Sequence, residues 1–178
     1  NILLYYLTMK FDKYELLWIY ISMIPIFDLD DTLYDEQEFV HSGFFAVAEW
    51  GYEKFGWNID KSYQKMLSIL KNKGRGHVFD DWLDGCGSIR EAVQIYRHHT
   101  PSIKPWKSAT KILAELSGKS LYLVTDGHKI VQANKIKALG IAPFFQHCYI
   151  THRYGIAHAK PSTYCFERSF DPHHHLAP

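Results

Sequence analysis

Three short stretches carry the residue types that do chemistry: Asp28-Leu-Asp-Asp-Thr32, Thr125-Asp-Gly127 and Lys160-Pro161. Asp28 and Asp30 stand two residues apart at the end of an apolar run, so both can face one small volume. Two like charges there are costly unless a cation sits between them. Thr125 offers a hydroxyl, and Asp126 and Gly127 precede a helix start near Lys129, where exposed amides suit an oxyanion or a phosphate. Lys160 supplies an ammonium, and Pro161 behind it is expected to open a helix. A carboxylate nucleophile, a carboxyl acid/base, a hydroxyl anchor and an ammonium suit phosphoryl transfer through an aspartyl-phosphate. On this reading Asp28 attacks phosphorus. Asp30 protonates the leaving oxygen and then activates water. Thr125, Asp126, Gly127 and Lys160 bind the phosphate. Asp31 reads as structural, and the Asp126 side chain as a candidate cap for the helix that follows.

These residues converge only if strands deliver them, because sites in parallel sheets form at the carboxyl ends of strands. Met23-Ile-Pro-Ile-Phe27 is short, β-branched and apolar, which predicts a buried strand ending at Asp28. Leu121–Thr125 predicts a second strand and His147–Thr151 a third. Helical periodicity fills the rest. One helix is expected from about Glu36 to Lys54. Tyr63, Met66, Leu67 and Leu70 share a face, as do Ile89, Ala92, Val93 and Tyr96, with breaks at Lys73–Gly76 and Asp84–Gly87. Ala109, Ile112, Leu113 and Leu116 form a further stripe, stopped by Gly118. Ile130, Val131, Ala133, Ile136 and Leu139 form the last, stopped by Gly140. The alternation predicts an α/β fold: a Rossmann-like parallel sheet with helices on its faces. A mostly helical insertion, residues 35–100, separates the first two strands and reads as a cap. The core then comprises 23–34 and 101–168, with Pro101 and Pro105 marking the return.

Phe27-Asp-Leu-Asp-Asp-Thr-Leu33, Leu123-Val-Thr-Asp-Gly127 and Lys160-Pro161, in this order, resemble the first three motifs of the haloacid dehalogenase (HAD) superfamily. The insertion resembles that superfamily's helical type-1 cap, and the resemblance covers roughly residues 23–168. Asp30 is similar to the second aspartate of the phosphatase and phosphotransferase branches. The resemblance implies Mg2+, held by Asp28, the backbone carbonyl of Asp30 and a downstream acidic residue. It also implies a small phosphorylated substrate, such as a sugar phosphate or a nucleotide. The family's fourth motif, an acidic Gly-Asp cluster after another strand, has no counterpart here. Only Glu167 and Asp171 follow Lys160, so the last core strand is expected to be missing. That would leave the motif-bearing strand as a sheet edge and one metal ligand absent. The apolar residues 1–22 read as a non-native extension and residues 169–178 as a tail outside the family pattern. The competing expectation is a catalytically inactive HAD-like domain with an interaction role. A phospho-acceptor receiver module also clusters Asp, Thr and Lys, but 97 positions separate Asp28 from Thr125, too many for so compact a module.

The chain has 178 residues, with 20 Lys plus Arg against 19 Asp plus Glu, a net charge of +1. This balance gives no electrostatic case for nucleic acid or an anionic membrane as partner. The longest uncharged run of the apolar first 27 residues, Leu16–Phe27, has 12 residues, short of the roughly 20 needed to span a bilayer. The odd number of cysteines argues for a reducing compartment, hence a cytoplasmic location. Trp50, Trp57 and Trp82 read as cap core, His98-His99 as a helix end, and Lys71–Gly76 as a solvated loop. Cys86 shows no sign of a reactive thiol, and His173–His175 read as an unstructured tail. Oligomeric state is not legible.

Overall fold

The computed structural model describes residues 24–170. The expectations for residues 1–22 and for Asp171 onward lie outside the described residues. Three parallel strands form one sheet in the order β1 (Ile26–Phe27), β2 (Tyr122–Thr125), β3 (His147–Ile150). Ile26 pairs with Tyr122 and Phe27 with Leu123. Tyr122 pairs with His147, and the register continues to Thr125 beside Ile150. Every residue of β2 is buried, as expected for a central parallel strand covered on both faces. Among the described residues β1 pairs with β2 alone.

Among the described residues, seven α-helices surround or extend this sheet: α1 (Glu36–Phe55), α2 (Ile59–Lys73), α3 (Val78–Leu83), α4 (Ile89–His98), α5 (Lys107–Glu115), α6 (Lys129–Leu139) and α7 (Tyr164–Phe170). Their ends follow local chemistry. Asp35 caps α1 by accepting from the Gln37 amide, with Glu36 and Glu38 in the first turn, and Gly56 ends it at φ 71°. Asn58 caps α2 and Ser88 caps α4. Gly140 closes α6 at φ 65°. Three features differ from the sequence expectation. β1 spans only two half-buried residues where the sequence predicts a longer, buried strand. The Gly74 break is followed by a 3-10 turn and then by α3, a short helix whose six residues are too few to show a period. Pro161 does not open a helix; α7 starts at Tyr164.

The apolar residues segregate. Leu29, Leu33, Leu113, Leu121, Leu123, Ile141 and Ile150 cluster on one face of the sheet under α5 and α6. Tyr122, Val124, Tyr149 and Cys165 pack on the other face, against α7. Helices α1 to α4 enclose a separate cluster around Val40, Phe44, Val47, Met66, Trp82 and Ala92. Trp50 and Trp57 pack on it as expected, and Trp57 meets Trp82 edge to face at 5.3 Å. Gly51 on α1 permits this packing: a Cβ there would lie 2.8 Å from Trp82 Cη2. Tyr96 touches both the insertion cluster and the sheet cluster. No helix among the described residues is long and apolar enough to cross a membrane.

Candidate active site

The carboxyl ends of β1 and β2 lie side by side, so the turn after Phe27 and the turn after Thr125 meet. The chain leaves β1 through Asp28 and folds into a tight turn. The Leu33 amide donates to the Leu29 carbonyl at 3.0 Å, and Leu29 and Leu33 are buried beneath. Asp31 sits at φ 53° and accepts from the Glu36 amide at 3.0 Å, which makes it a joint between this turn and α1, as its position suggested. The turn directs Asp28 and Asp30 to different surroundings.

Asp28 faces outward. Its side chain is 46% exposed; Oδ1 accepts from the Leu29 amide at 2.8 Å and from Lys160 Nζ at 2.8 Å. Lys160 thus reaches back from the loop after β3 to the end of β1. Asp126 holds that loop: its carboxylate accepts from the Thr151 hydroxyl at 2.6 Å and from the Lys160 amide at 3.1 and 3.2 Å. The Asp126 side chain therefore does not cap α6, whose N-cap is His128 without a side-chain bond. With its carboxylate engaged, Asp126 has its backbone amide to offer an anion. Gly127 follows at φ 130°, a conformation that side chains disfavour, and a Cβ there would press on Gln132 at 3.2 Å.

Asp30 faces inward. Oδ1 accepts from the Tyr34 hydroxyl at 2.6 Å and from Lys135 Nζ at 2.7 Å, and Oδ2 accepts from Gln132 Nε2 at 2.8 Å. Gln132 Nε2 also donates to Thr125 Oγ1 at 2.6 Å. The amide orientation follows from chemistry, since its oxygen would repel the Asp30 carboxylate. Because Thr125 Oγ1 accepts this bond, its own proton is left to donate elsewhere, as a phosphate anchor requires. Burial, and then the bond to Asp30, raise the Tyr34 phenol well above the usual tyrosine range, so it stays a donor.

Lys135, Gln132, Tyr34 and Glu36 had not been singled out in the sequence. Lys135 and Gln132 are 2% and 1% exposed. The buried stripe of α6 is Gln132, Lys135, Ile136 and Leu139, an i, i+3, i+4, i+7 pattern with two polar members. That pattern was the available signal. Lys135 Nζ also lies 3.8 Å from Glu36 and 4.5 Å from the Phe39 ring centre. Glu36 is in turn gripped by both arms of Arg75, at 3.0 and 2.6 Å. Arg75 had been placed in a solvated loop. Its side chain is 61% exposed, yet it tethers the start of α1. His98 ends α4 with Nδ1 against the Gln94 carbonyl. Cys86 is exposed and free.

Residues 25–174 match the family described as haloacid dehalogenase-like hydrolase. Among curated proteins, the chain is 32% identical over 144 residues to a glyceraldehyde 3-phosphate phosphatase of Methanocaldococcus jannaschii, covering 74% of this chain and 63% of the relative. It is 27% identical to a protein of the same name from Methanopyrus kandleri, covering 78% of this chain and 66% of the relative. The chain therefore spans less than two thirds of the length of either. Among solved structures, a HAD-superfamily hydrolase of subfamily IA from Geobacter sulfurreducens shares the fold at TM-score 0.51 and 18% identity, covering 73% of this chain and 64% of that one. With most of its length matched and its motif residues gathered at the ends of β1 and β2, the chain belongs to the haloacid dehalogenase-like hydrolase family.

Proposed function

We propose that this chain is a phosphatase that removes the phosphoryl group of a small metabolite through an aspartyl-phosphate on Asp28. The observation that carries the reading is the Asp28–Lys160 contact at 2.8 Å at the end of β1, the strand paired with the one that ends in Thr125. A nucleophile and its countercharge share a partly exposed corner, while the Thr125 hydroxyl lies in the buried end of β2. Asp28 attacks phosphorus and the bond to the ester oxygen breaks. Asp30, carrying a proton taken up from water when substrate binds, delivers it to that oxygen, then takes one back from the water that cleaves the acyl phosphate and releases inorganic phosphate. Lys160 and the Thr125 hydroxyl hold the phosphoryl oxygens while charge builds on them.

Magnesium suits the donors present in kind. Asp28 and the Asp30 carbonyl offer hard oxygens, and this ion is often held by one or two carboxylates plus substrate phosphate and water. When bound it would offset the charge between Asp28 and the incoming phosphoryl group. No group of three acidic, His or Cys side chains that could hold a metal occurs among the described residues, which favours a second reading of the domain as catalytically silent with an interaction role.

The curated relatives make a triose phosphate the first substrate to try, and the free cysteines fit our reading of a cytoplasmic protein. The test is phosphate release from glyceraldehyde 3-phosphate and p-nitrophenyl phosphate, with and without Mg2+, by the wild type and Asp28→Asn. Turnover that is lost in the variant supports the reading. Folded protein without turnover favours the silent domain.

A further inference from the structure

We propose that Lys135, with Gln132, is a positioning residue that fixes the Asp30 carboxylate for proton transfer. This rests on the phosphatase reading.

The reason is the cost of its location. Lysine is almost never fully buried unless it is paired, yet the Lys135 side chain is 3% exposed, on a helix whose buried apolar residues, Ile136 and Leu139, pack the core. Its pairing is directed: Nζ is 2.7 Å from Asp30 Oδ1 and 3.8 Å from the nearer Glu36 oxygen, and the Phe39 ring faces it at 4.5 Å. Gln132, one turn earlier on α6, holds the other Asp30 oxygen. Donors on both oxygens, with Tyr34 added to Oδ1, leave the carboxylate little freedom to rotate. The same Gln132 nitrogen touches Thr125, so the acid/base group and the phosphate anchor are referenced to one helix. A substrate seated on Thr125 is thereby seated at a set distance from Asp30. Glu36 adds a second carboxylate beside Lys135, and its charge is matched by Arg75. Neither Lys135 nor Gln132 need contact substrate for this to act.

The leaving group tests it. Nitrophenolate departs without a proton, whereas an alkoxide needs one from Asp30. The ratio kcat/KM, which reports the step up to departure, is measured for p-nitrophenyl phosphate and glycerol phosphate with full-chain wild type, Lys135→Met, Asp30→Asn and the double variant. K135M is expected to lower the glycerol phosphate value by about 100-fold, the scale of a 1 Å misplacement, while the nitrophenyl value stays near wild type. In the D30N background K135M should add no further loss. Equal losses on both substrates, or the full loss again without Asp30, overturn the proposal. Thermal unfolding of the same four proteins gives a readout independent of turnover. The Tm drop from K135M should shrink when Asp30 is already Asn, and additive drops overturn the pairing. If K135M does not fold, Lys135→Gln, which removes the charge and keeps a polar side chain, serves with the same two criteria. A wild type without turnover overturns the phosphatase reading, and the unfolding cycle then decides the pairing alone.

Discussion

The site contains two aspartate–lysine pairs of nearly equal length and opposite character. Asp28–Lys160 spans 2.8 Å with side chains 46% and 27% exposed, whereas Asp30–Lys135 spans 2.7 Å with side chains 24% and 3% exposed. An exposed pair is screened by water and contributes about 0–1 kcal/mol to stability. A buried pair must be matched, because removing one partner strands the other charge in a poor solvent. The first pair is therefore cheap to open, which suits the nucleophile role proposed for Asp28 when a phosphoryl group arrives. The second is costly to open, which is what an acid/base group needs if it is to stay in place. A single residue of the turn, Leu29, separates Asp28 from Asp30, and the turn produces both environments.

Exchanging each lysine for methionine should invert two readouts. Lys135→Met is expected to lower stability by about 3 kcal/mol, the low end of the range for a broken buried pair because Asp30 keeps some contact with water; denaturant unfolding measures it. Lys160→Met is expected to leave stability within about 1 kcal/mol, while turnover falls by about 100- to 1,000-fold, as when one donor to a developing anion is lost. Equal stability losses in the two variants would erase the distinction.

A substitution away from both pairs asks whether the insertion matters to them. Gly51→Ala should cost about 1–3 kcal/mol, since the new methyl meets Trp82 in a filled cluster. Circular dichroism melts report that loss, and the Asp28 and Asp30 chemistry should survive it at temperatures below the transition.

The smallest effect is one of pH. His99 packs on Phe39 at 4.9 Å, the ring that also faces Lys135. Its Nε2 is buried with no partner, and burial holds its imidazole below the usual histidine range, partly offset by the Tyr96 carbonyl. The unfolded chain then binds the proton more readily than the folded one. Stability is full above the ordinary pKa of about 6.5 and is lost as pH falls below it, by under about 1 kcal/mol per pH unit. His99→Gln should flatten that slope in unfolding titrations between about pH 7 and 5.

The legible parts of this molecule are those fixed by short spacing. Asp28 and Asp30, the ends of α1, and the apolar strands needed only neighbours within a few residues. Gly140 announced its helix end through the conformation that glycine favours. The buried half of the site was not legible, because it depends on pairs far apart in sequence. Lys135 meets Asp30 across 105 positions and Arg75 meets Glu36 across 39. A lysine on a helix looks like a surface residue until a carboxylate is found beneath it. Asp126 was read as part of the phosphate cradle and as a helix cap. Its carboxylate instead binds a loop 34 positions later.

The central claim is that Asp28 carries the phosphoryl group during turnover. Mass spectrometry of the protein quenched in acid during turnover with Mg2+ and acetyl phosphate tests it most directly. The account expects one added phosphoryl group on the peptide containing Asp28, absent from Asp28→Asn. A phosphoryl group elsewhere, or turnover that persists in that variant, would contradict it.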